Sequence, residues 1–434
     1  MKNSDRNLVR YILDSLNNNK DEVFIIDEEK ECTHHDFLAL VNKIYSHIPK
    51  GKILVNLKSK LFIAATFTAC LFKKALPFIR NINQESSPLD EYSYDLVVDD
   101  SRIKEMIEDE NYQEYVYDGN VEPNQPALGL LSSGTSAKNK VIILSQSGIL
   151  EDILSVFEIH EIEKGWRFVN ITPFDHAMGI VGDYLMVLLS GSSVVYSYSV
   201  IEYFYNVEKY KPHCLHITSN LCDTLYDLIK EKGKGKFDDR LTQIVVGGSK
   251  CRNDIISDFA KYQVTVCSCY GLTECSPVVS LSSSKYYKEG SDGKILSCNK
   301  IRIADDGEIV ISGKAIMLNY LEEYEKGEIV KEIKTKDIGY IEDGYIYVVG
   351  RKDNLIVLPN GEKIQPEVFE NRLLENPHVK EAILYYKNQA LYLDVVLNDK
   401  YDLYKDMNGL DVTINYVDSL IKNQLGKVDR KAYR

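Results

Sequence analysis

The sequence lacks a hydrophobic run long enough to cross a membrane. Its longest apolar stretch, residues 61–72, is well short of the ~20 residues that span a bilayer and has lysines on both sides. Residues 1–20 contain charges and asparagines where a signal peptide needs an unbroken apolar core. We therefore expect a buried helix over 61–72, no transmembrane segment, and a cytoplasmic protein.

Positive charge, glycine and proline are also scarce. The 52 Lys and Arg residues face 65 Asp and Glu, giving a net charge of −13, the opposite of a typical nucleic-acid binder. Nucleic acid is therefore not an expected partner. The 25 Gly and 11 Pro are too few for a disordered or collagen-like chain. Nine cysteines, an odd number scattered through a chain without an export signal, indicate free thiols.

Histidines and cysteines show no zinc-type spacing. Three cysteines between residues 267 and 275 lack a Cys-x-x-Cys pair or a histidine neighbour, so buried thiols are expected. His213 and His216 flank an apolar run and are expected to be structural. His34 and His35, at a predicted helix start, are expected to be a solvated pair.

The order of apolar segments predicts two domains. From about residue 120 to 280, apolar runs alternate with helical or polar stretches, the pattern of an α/β sheet with covered faces. Asp-Asp-Gly at 305–307 and Glu-Asp-Gly at 342–344 each separate alternating segments and predict β-hairpins. After Asp353 comes a strand, a helix and further strands. The prediction is a large α/β domain with packed sheets, 1–352, and a small α+β domain, 353–434.

A candidate phosphate loop lies between two predicted strands. Residues 130–145, LLSSGTSAKNKVIILS, pass from a strand through small hydroxylated residues and glycine to two lysines and another strand. Backbone N–H groups, hydroxyls and an ammonium group in such a loop can contact phosphate oxygens. The Walker pattern is absent, which excludes P-loop NTPase chemistry. Taken alone, such a segment is more often an ordinary surface turn.

A second segment supports a nucleotide. Residues 265–274 run from a β-rich stretch into Tyr-Gly-Leu-Thr-Glu, which supplies an aromatic face, a hydroxyl and a carboxylate. These groups suit a purine ring, a phosphate oxygen and Mg²⁺. Upstream, Gly-Gly-Ser at 247–249 allows a flat ligand to approach the backbone closely.

Taken together, these segments resemble the adenylate-forming superfamily of acyl-CoA synthetases, nonribosomal adenylation domains and firefly luciferase. Residues 335–339 resemble its ribose-binding Thr-Gly-Asp, with Lys336 in place of the glycine. Residues 350–353 resemble its hinge, and residues 426–430 its terminal lysine signature. Several segments in the right order are far more specific than any one of them.

The resemblance implies a two-step ligase. A small-molecule carboxylic acid attacks the α-phosphate of ATP to give acyl-AMP and pyrophosphate, and a thiol then takes the acyl group. The implied cofactors are ATP and Mg²⁺. The implied acceptor is coenzyme A or the phosphopantetheine arm of an acyl or peptidyl carrier protein, and the small domain is implied to be mobile.

The resemblance also implies residue roles. Thr273 at the α-phosphate, Glu274 as the magnesium ligand, His176 at the acid site and Lys427 as a delivered cation are the implied catalytic residues. Asp353 is the implied hinge. The implied nucleotide-binding residues are Ser132, Ser133, Gly134, Thr135, Ser136, Lys140, Gly247, Gly248, Ser249, Tyr270, Gly271, Asp337 and Arg351.

Two alternatives remain open from the sequence. His176 is typical of acyl and fatty-acyl ligases, whose histidine gates the acid pocket. Phe174-Asp175 imitates the Phe-Asp pair of amino-acid-activating domains, so an amino-acid or aryl-acid adenylating enzyme that loads a carrier protein is one alternative. The other is a catalytically silent nucleotide- or acyl-binding relative, because residues 137–141 depart from the family's glycine- and proline-containing loop.

Overall fold

The computed structural model describes residues 6–119, 122, 124–132, 140–233, 240–248, 251–403, 411–422 and 428–433. The α-helices of these residues are α1 (Leu8–Asn18), α2 (His34–His47), α3 (Lys60–Lys73), α4 (Asp100–Glu108), α5 (Gln146–Phe157), α6 (Met186–Leu189), α7 (Val200–Tyr210), α8 (Ser219–Lys232), α9 (Asn253–Lys261), α10 (Leu321–Tyr324) and α11 (Pro366–Leu374).

The strands run throughout the chain. They are β1 (Val23–Asp27), β2 (Lys30–Thr33), β3 (Lys52–Asn56), β4 (Leu76–Ile79), β5 (Leu96–Asp99), β6 (Pro126–Leu131), β7 (Val141–Ser145), β8 (Arg167–Asn170), β9 (Ser193–Tyr196), β10 (Cys214–Thr218), β11 (Gln243–Gly247), β12 (Thr265–Gly271), β13 (Val278–Leu281), β14 (Lys294–Ile295), β15 (Asn299–Ile303), β16 (Glu308–Gly313), β17 (Asn319–Tyr320), β18 (Ile333–Glu342), β19 (Tyr345–Arg351), β20 (Ile356–Val357), β21 (Lys363–Ile364), β22 (Val379–Lys387), β23 (Ala390–Leu397) and β24 (Thr413–Tyr416).

Two large sheets carry most of these strands. One has the order β15-β16-β18-β19-β14-β13-β12-β11-β10-β8-β9-β1-β2, and the other has the order β17-β7-β6-β4-β3-β5. Strands β9, β8, β10, β11 and β12 of the first sheet are parallel neighbours. The parallel strands bury both faces, as their continuous apolar sequence requires.

Helix α3 explains how the two sheets share a core. It is apolar on every side, and its side chains from Ile63 to Phe72 are buried. It contacts β1 of the first sheet and β3 and β4 of the second. A helix that is hydrophobic all round must be covered on all faces. The predicted buried helix over 61–72 is therefore confirmed, and it packs between the sheets.

The predicted strands are also confirmed. The apolar runs between residues 120 and 280 form the strands β6 to β12. Both predicted hairpins form, β15 with β16 and β18 with β19, each antiparallel around its Asp-Gly turn. The predicted α/β fold thus follows from local patterning.

One expectation about histidines is wrong. His35 is exposed, but His34 is fully buried. Its ring stacks on Phe24 at 4.8 Å, and its Nδ1 lies 3.0 Å from the carbonyl oxygen of Glu22. Thr33 caps α2 in a capping box with Asp36, and this fixes the rotation of the helix so that position 34 faces the core.

The last part of the chain forms a small unit, defined here as α11 with the sheet β22-β23-β24. It has a hydrophobic cluster of its own, centred on Leu373, Leu393 and Val395. The predicted boundary near Asp353 stays a prediction.

Two further properties of the chain are its lack of a membrane-spanning helix among the described residues and the state of its cysteines. Among the described residues, no helix is both long and apolar enough to cross a membrane. All nine cysteines are free thiols, and all but Cys269 are buried.

Candidate active site

Several predicted site residues meet at one edge of the first sheet. Parallel strands β10, β11 and β12 pair so that Thr218 lies beside Gly247, and Gly247 beside Cys269. Their carboxyl ends therefore lie side by side, which is where open α/β sheets bind ligands. Strand β12 ends at Gly271, and the 3₁₀ helix Thr273–Cys275 follows directly.

Tyr270, Asp337 and Arg351 form a hydrogen-bonded cluster. The Tyr270 hydroxyl donates to Oδ2 of Asp337 over 2.7 Å, and Nη1 of Arg351 donates to Oδ1 over 2.9 Å. Asp337 and Arg351 are cross-strand partners of β18 and β19. The structure thus brings together three predicted nucleotide-binding residues, of which Tyr270 lies far from the other two in the sequence.

Burial dominates the electrostatics of this cluster. Asp337 is only 4% exposed, and desolvation raises its pKa above the ordinary value, although Tyr270 and the Arg351 guanidinium favour the charged form. Arg351 also donates to the carbonyl oxygen of Thr335 over 3.1 Å. Both partners of the carboxylate are therefore held in place by the sheet.

Glu274 lies close to this cluster. Its carboxylate is hydrogen-bonded to Tyr320, and the charges of Arg351 and Asp337 both act on it. Burial raises the pKa of Glu274. Burial and, as a smaller contribution, the charge of Glu274 raise the pKa of Tyr320 to about 12. The Glu274 carbonyl oxygen accepts from the backbone N–H of Met317 over 2.7 Å. The preceding predicted residue, Thr273, is half-buried beside it.

The two glycine segments each contain one position that requires glycine, Gly271 because of close packing and Gly248 because of its backbone angle. A Cβ on Gly271 would lie 2.0 Å from the Pro277 carbonyl oxygen, so only glycine fits there. Gly247 ends β11, and Gly248 has a φ of +85°, in the region that favours glycine. The Cε of Met178 lies 3.6 Å from the position a Cβ would take on Gly247.

The strands on both sides of the predicted phosphate loop are clamped together. The N–H of Ser132 donates to the Lys140 carbonyl oxygen over 2.8 Å, and the N–H of Lys140 donates to the Ser132 hydroxyl over 3.1 Å. The Lys140 ammonium lies 4.5 Å from the centre of the Tyr320 ring and 3.8 Å from a Glu323 carboxylate oxygen. Through Tyr320, the loop ends adjoin Glu274.

Some predicted residues lie outside the described residues, and their roles stay predictions. They are Ser133, Gly134, Thr135, Ser136, Ser249 and Lys427.

His176 lies in the turn that leads into a π-helical segment, Met178–Leu185. Its backbone carbonyl accepts from Gly179 and Ile180, and its side chain is half-buried. Met178, two residues on, lines a cavity of about 30 Å³ with Val245 and Cys269. The predicted acid-site segment therefore packs against the same strand ends as the nucleotide cluster.

The predicted hinge segment is tied to the large sheet by ion pairs. Asp353 lies 3.3 Å from the Lys336 ammonium and 3.8 Å from the Arg351 guanidinium. Lys352 pairs with Glu308 at 3.0 Å. Lys336 itself has a φ of +62°, which explains why the resembled family has glycine at this position.

Sequence reasoning missed two residues of this region. Tyr320 follows no motif, and its proximity to Glu274 arises from the pairing of β17 with β7. Lys60 is buried, and its ammonium donates to Oδ1 of Asn170 over 2.7 Å and to the Ser197 carbonyl oxygen over 3.0 Å. Burial lowers the pKa of Lys60 to about 8. No local pattern signals either contact.

Comparison with known proteins shows the family of this chain. The model of the AMP-binding enzyme family matches residues 51–321, more than half of the chain. The chain belongs to this family. Among curated relatives, this AMP-binding enzyme is 26% identical over 369 residues to a 2-succinylbenzoate–CoA ligase of Listeria innocua, covering 77% of each chain. It is 24% identical over 360 residues to an indoleacetate–CoA ligase of Aromatoleum aromaticum, covering 78% of this chain and 68% of the relative.

Solved structures share the fold of this AMP-binding enzyme. The O-succinylbenzoate coenzyme A synthetase of Bacillus subtilis in complex with AMP matches with a TM-score of 0.81 and 19% identity, covering 96% of both chains. The same synthetase in complex with ATP and a magnesium ion matches with a TM-score of 0.78 and 18% identity, covering 96% of this chain and 98% of that one. The predicted superfamily, the α/β fold and the enzyme class, an AMP-forming acid–thiol ligase, are confirmed.

Proposed function

We propose that this AMP-binding enzyme joins a carboxylic acid to AMP at the expense of ATP and then transfers the acyl group to coenzyme A. The observation that carries this proposal is the convergence of Tyr270, Asp337, Arg351 and Glu274 beside the clamped strands β6 and β7. The contacts of each residue support the role proposed for it.

Asp337 suits the ribose. An ionised carboxylate offers about four acceptor directions, and Tyr270 and Arg351 occupy two of them. The other two match in number the hydroxyls of a vicinal diol, which is the arrangement in ribose. Tyr270 and the Arg351 charge favour the ionised form of this carboxylate, which accepts hydrogen bonds, against the desolvation that raises its pKa.

Glu274 suits Mg²⁺. The cation prefers oxygen ligands, and the Glu274 carboxylate is a half-buried oxygen donor fixed by Tyr320. When bound, Mg²⁺ would offset the charge of the phosphates and of the attacking carboxylate. The raised pKa of Glu274 reflects burial, which outweighs the opposing charge of Arg351. Thr273 beside it is proposed to contact the α-phosphate.

The remaining roles are carried over from the family pattern. Lys140 is proposed to contact the pyrophosphate end, together with the loop that it and Ser132 enclose. Lys427 is proposed to approach the α-phosphate when the small unit rotates about Asp353. The ion pairs of Asp353 with Lys336 and Arg351 support a pivot close to the proposed ribose-binding residues.

The acid is proposed to be aromatic or arylalkyl, with His176 at the entrance to its pocket. Ligases for 2-succinylbenzoate, indoleacetate and 4-coumarate are among the relatives. The cavity beside Met178 is mainly lined by apolar side chains, which suits an apolar acid, but its volume of about 30 Å³ is far below an ordinary ligand pocket of ~300 Å³. Met178, with its flexible side chain, is the residue that would have to move.

Coenzyme A is the proposed acceptor because the relatives are CoA ligases, and a carrier-protein arm is the alternative. Both present the same thiol. The cytoplasm, a reducing compartment that holds ATP and coenzyme A, is the proposed location of a chain with nine free cysteines.

The test is exchange of labelled pyrophosphate into ATP over a panel of aromatic, arylalkyl, aliphatic and amino acids. We expect exchange with at least one aromatic or arylalkyl acid and dependence on Mg²⁺. Strongest exchange with an amino acid would contradict the proposed acid class. Tight ATP binding without exchange for any acid would instead support the silent-relative alternative.

A further inference from the structure

A second cluster of chemically active side chains is buried against the first sheet. His160, Cys214 and His216 are each buried, and one ligand atom from each lies within 4.8 Å of the others. Cys214 and His216 are on the same face of β10 because they are two residues apart in a strand. The Cys214 sulfur lies 3.9 Å from Nε2 of His160, which follows α5.

His216 is arranged as metal-binding histidines usually are. Its Nδ1 lies 2.6 Å from Oδ1 of Asp183, and Asn170 donates to the other oxygen of that carboxylate. A histidine whose Nδ1–H donates a hydrogen bond to a carboxylate presents the lone pair of Nε2 on the opposite side of the ring. Such carboxylate–histidine pairs orient the ring and raise its basicity toward a metal.

His160 lacks a partner that the protein could have supplied. Its Nδ1 is buried and has no hydrogen-bond partner, and the residue is only 1% exposed. Burial lowers the pKa of His160 to about 3, so the ring is a neutral ligand at physiological pH. A buried polar atom without a partner is costly, and a ligand bound to the ring through Nδ1 removes that cost.

We propose that His160, Cys214 and His216 bind a zinc ion, with Asp183 as the supporting carboxylate of His216. Zinc bonds of 2.0–2.3 Å place tetrahedral ligand atoms roughly 3.5 Å apart, so the spacing requires shifts of about 1 Å or less. On binding, the Cys214 thiol loses its proton to solvent and the sulfur binds Zn²⁺. The cation's two charges then balance the thiolate and the Asp183 carboxylate.

The neighbouring cavity supplies the fourth ligand position. His160 and His216 both line the cavity of about 30 Å³ that reaches Met178. That volume holds one water molecule, and water completes a zinc site with three protein ligands. The ion would thus stiffen the inner wall of the region proposed for the acid, although the zinc proposal does not depend on the proposed reaction.

The experiment uses the full chain, freed of metal with a chelator and then titrated with Co²⁺ as a spectroscopic substitute for Zn²⁺. We expect one equivalent to bind with a thiolate-to-cobalt charge-transfer band in the near ultraviolet. Added Zn²⁺ should abolish the band by displacement and raise the temperature of thermal unfolding. A wild-type chain that shows no such band overturns the proposal, whatever the variants do.

Matched variants locate the ligands. C214S should lose the band, and H160Q should weaken Co²⁺ binding by at least tenfold. C70S, which alters an equally buried cysteine in α3, should bind like the wild type. A band that persists in C214S, or that disappears in C70S, would show that sulfur from elsewhere binds the ion and would also overturn the proposal.

Discussion

At the scale of single residues, the Asp337 carboxylate links the proposed ribose site to the rest of the sheet. It is the common acceptor of Tyr270 and Arg351, and it is nearly inaccessible. Asp337→Asn keeps the shape but removes the charge and one acceptor oxygen. Hydrogen bonds to a charged group contribute about 1.5–3 kcal/mol, so we expect kcat/KM for ATP to fall ~10- to 100-fold. Pyrophosphate exchange as a function of ATP concentration measures this change.

Asp306→Asn is the control for that variant. Asp306 also pairs with a basic residue of the hinge segment, Lys352, but it is exposed and lies outside the nucleotide cluster. Exposed ion pairs contribute little, so its kinetics should match the wild type. An unchanged KM for ATP in Asp337→Asn would remove Asp337 from the ribose site.

Glu274 shows how a proposed metal ligand can reduce stability. Burial raises the pKa of Glu274, so the folded chain keeps this proton to higher pH than the unfolded chain does. The group therefore favours the folded state below its unfolded pKa, near 4.3, and that contribution is lost as pH rises through the folded pKa. Glu274→Gln should raise the unfolding temperature of the ligand-free chain at pH 7 by about 2 °C while reducing Mg²⁺-dependent exchange.

The stability gain of Glu274→Gln should shrink as pH falls through the unfolded pKa, near 4.3, because the wild-type carboxyl then becomes protonated in the unfolded chain as well as in the folded chain. Glu322→Gln, a substitution at an exposed acidic residue, should change neither quantity. A Glu274→Gln chain that is less stable than the wild type at pH 7 would contradict the sign of this argument.

At the scale of secondary-structure elements, the end of β12 depends on one glycine. Gly271→Ala would place a methyl group 2.0 Å from the Pro277 carbonyl oxygen, so the strand end carrying Tyr270 must shift. Overpacking of this kind costs ~1–3 kcal/mol. We expect a lower unfolding temperature and a raised KM for ATP.

Gly247→Ala tests whether the steric cause is correct. Its methyl group would lie 3.6 Å from Met178 Cε, an ordinary contact, and the unfolding temperature should equal that of the wild type. Equal stability losses in the two variants would show that glycine itself, rather than the Pro277 contact, matters at both positions.

Elements were also the level at which the sequence was most informative. Alternating or continuous apolar runs identify β6 to β12 and both hairpins, because strand patterning is local. The burial of His34 was not predictable, since it depends on the rotation of α2 and on the contact with Phe24 of β1. The Glu274–Tyr320 contact depends on β17 pairing with β7, which no local pattern specifies.

At the scale of the whole molecule, an ion pair between buried Glu370 and half-buried Arg430 anchors the last described residues to the small unit. Glu370 is 5% exposed, pairs with Arg430 and accepts from the backbone N–H of Leu384 over 2.7 Å. Arg430→Met leaves this carboxylate unpaired, which costs about 3 kcal/mol. We expect the small unit to unfold at a lower temperature and adenylate formation to slow, since the proposed Lys427 lies three residues before Arg430.

Differential scanning calorimetry and the exchange assay measure these two effects. Lys431→Met, at the exposed neighbouring position, should affect neither. A normal exchange rate in Arg430→Met would mean that the anchoring of the terminal segment has no bearing on adenylate formation.

The arrangement of the whole molecule exceeded what local patterns can specify. The hairpins β15-β16 and β18-β19 extend the first sheet instead of forming a separate one, and β1 with β2 closes its opposite edge. Recognisable segments predicted Tyr270, Glu274, Asp337 and Arg351 as site residues, and the structure brings these four together. The contact between Tyr270 on β12 and Asp337 on β18 could not be predicted, because it depends on the order of the strands between them, β13, β14 and β19.

The clamp between Ser132 and Lys140 has a consequence for how this protein can change. Both hydrogen bonds form between the two residues that border positions 133–139, and β6 and β7 are in register on the far side. We therefore expect the pairing of β6 with β7 to persist when residues 133–139 are exchanged, because these hydrogen bonds lie outside the exchanged positions. Grafting the corresponding segment of a relative would ask how far nucleotide affinity is encoded there alone.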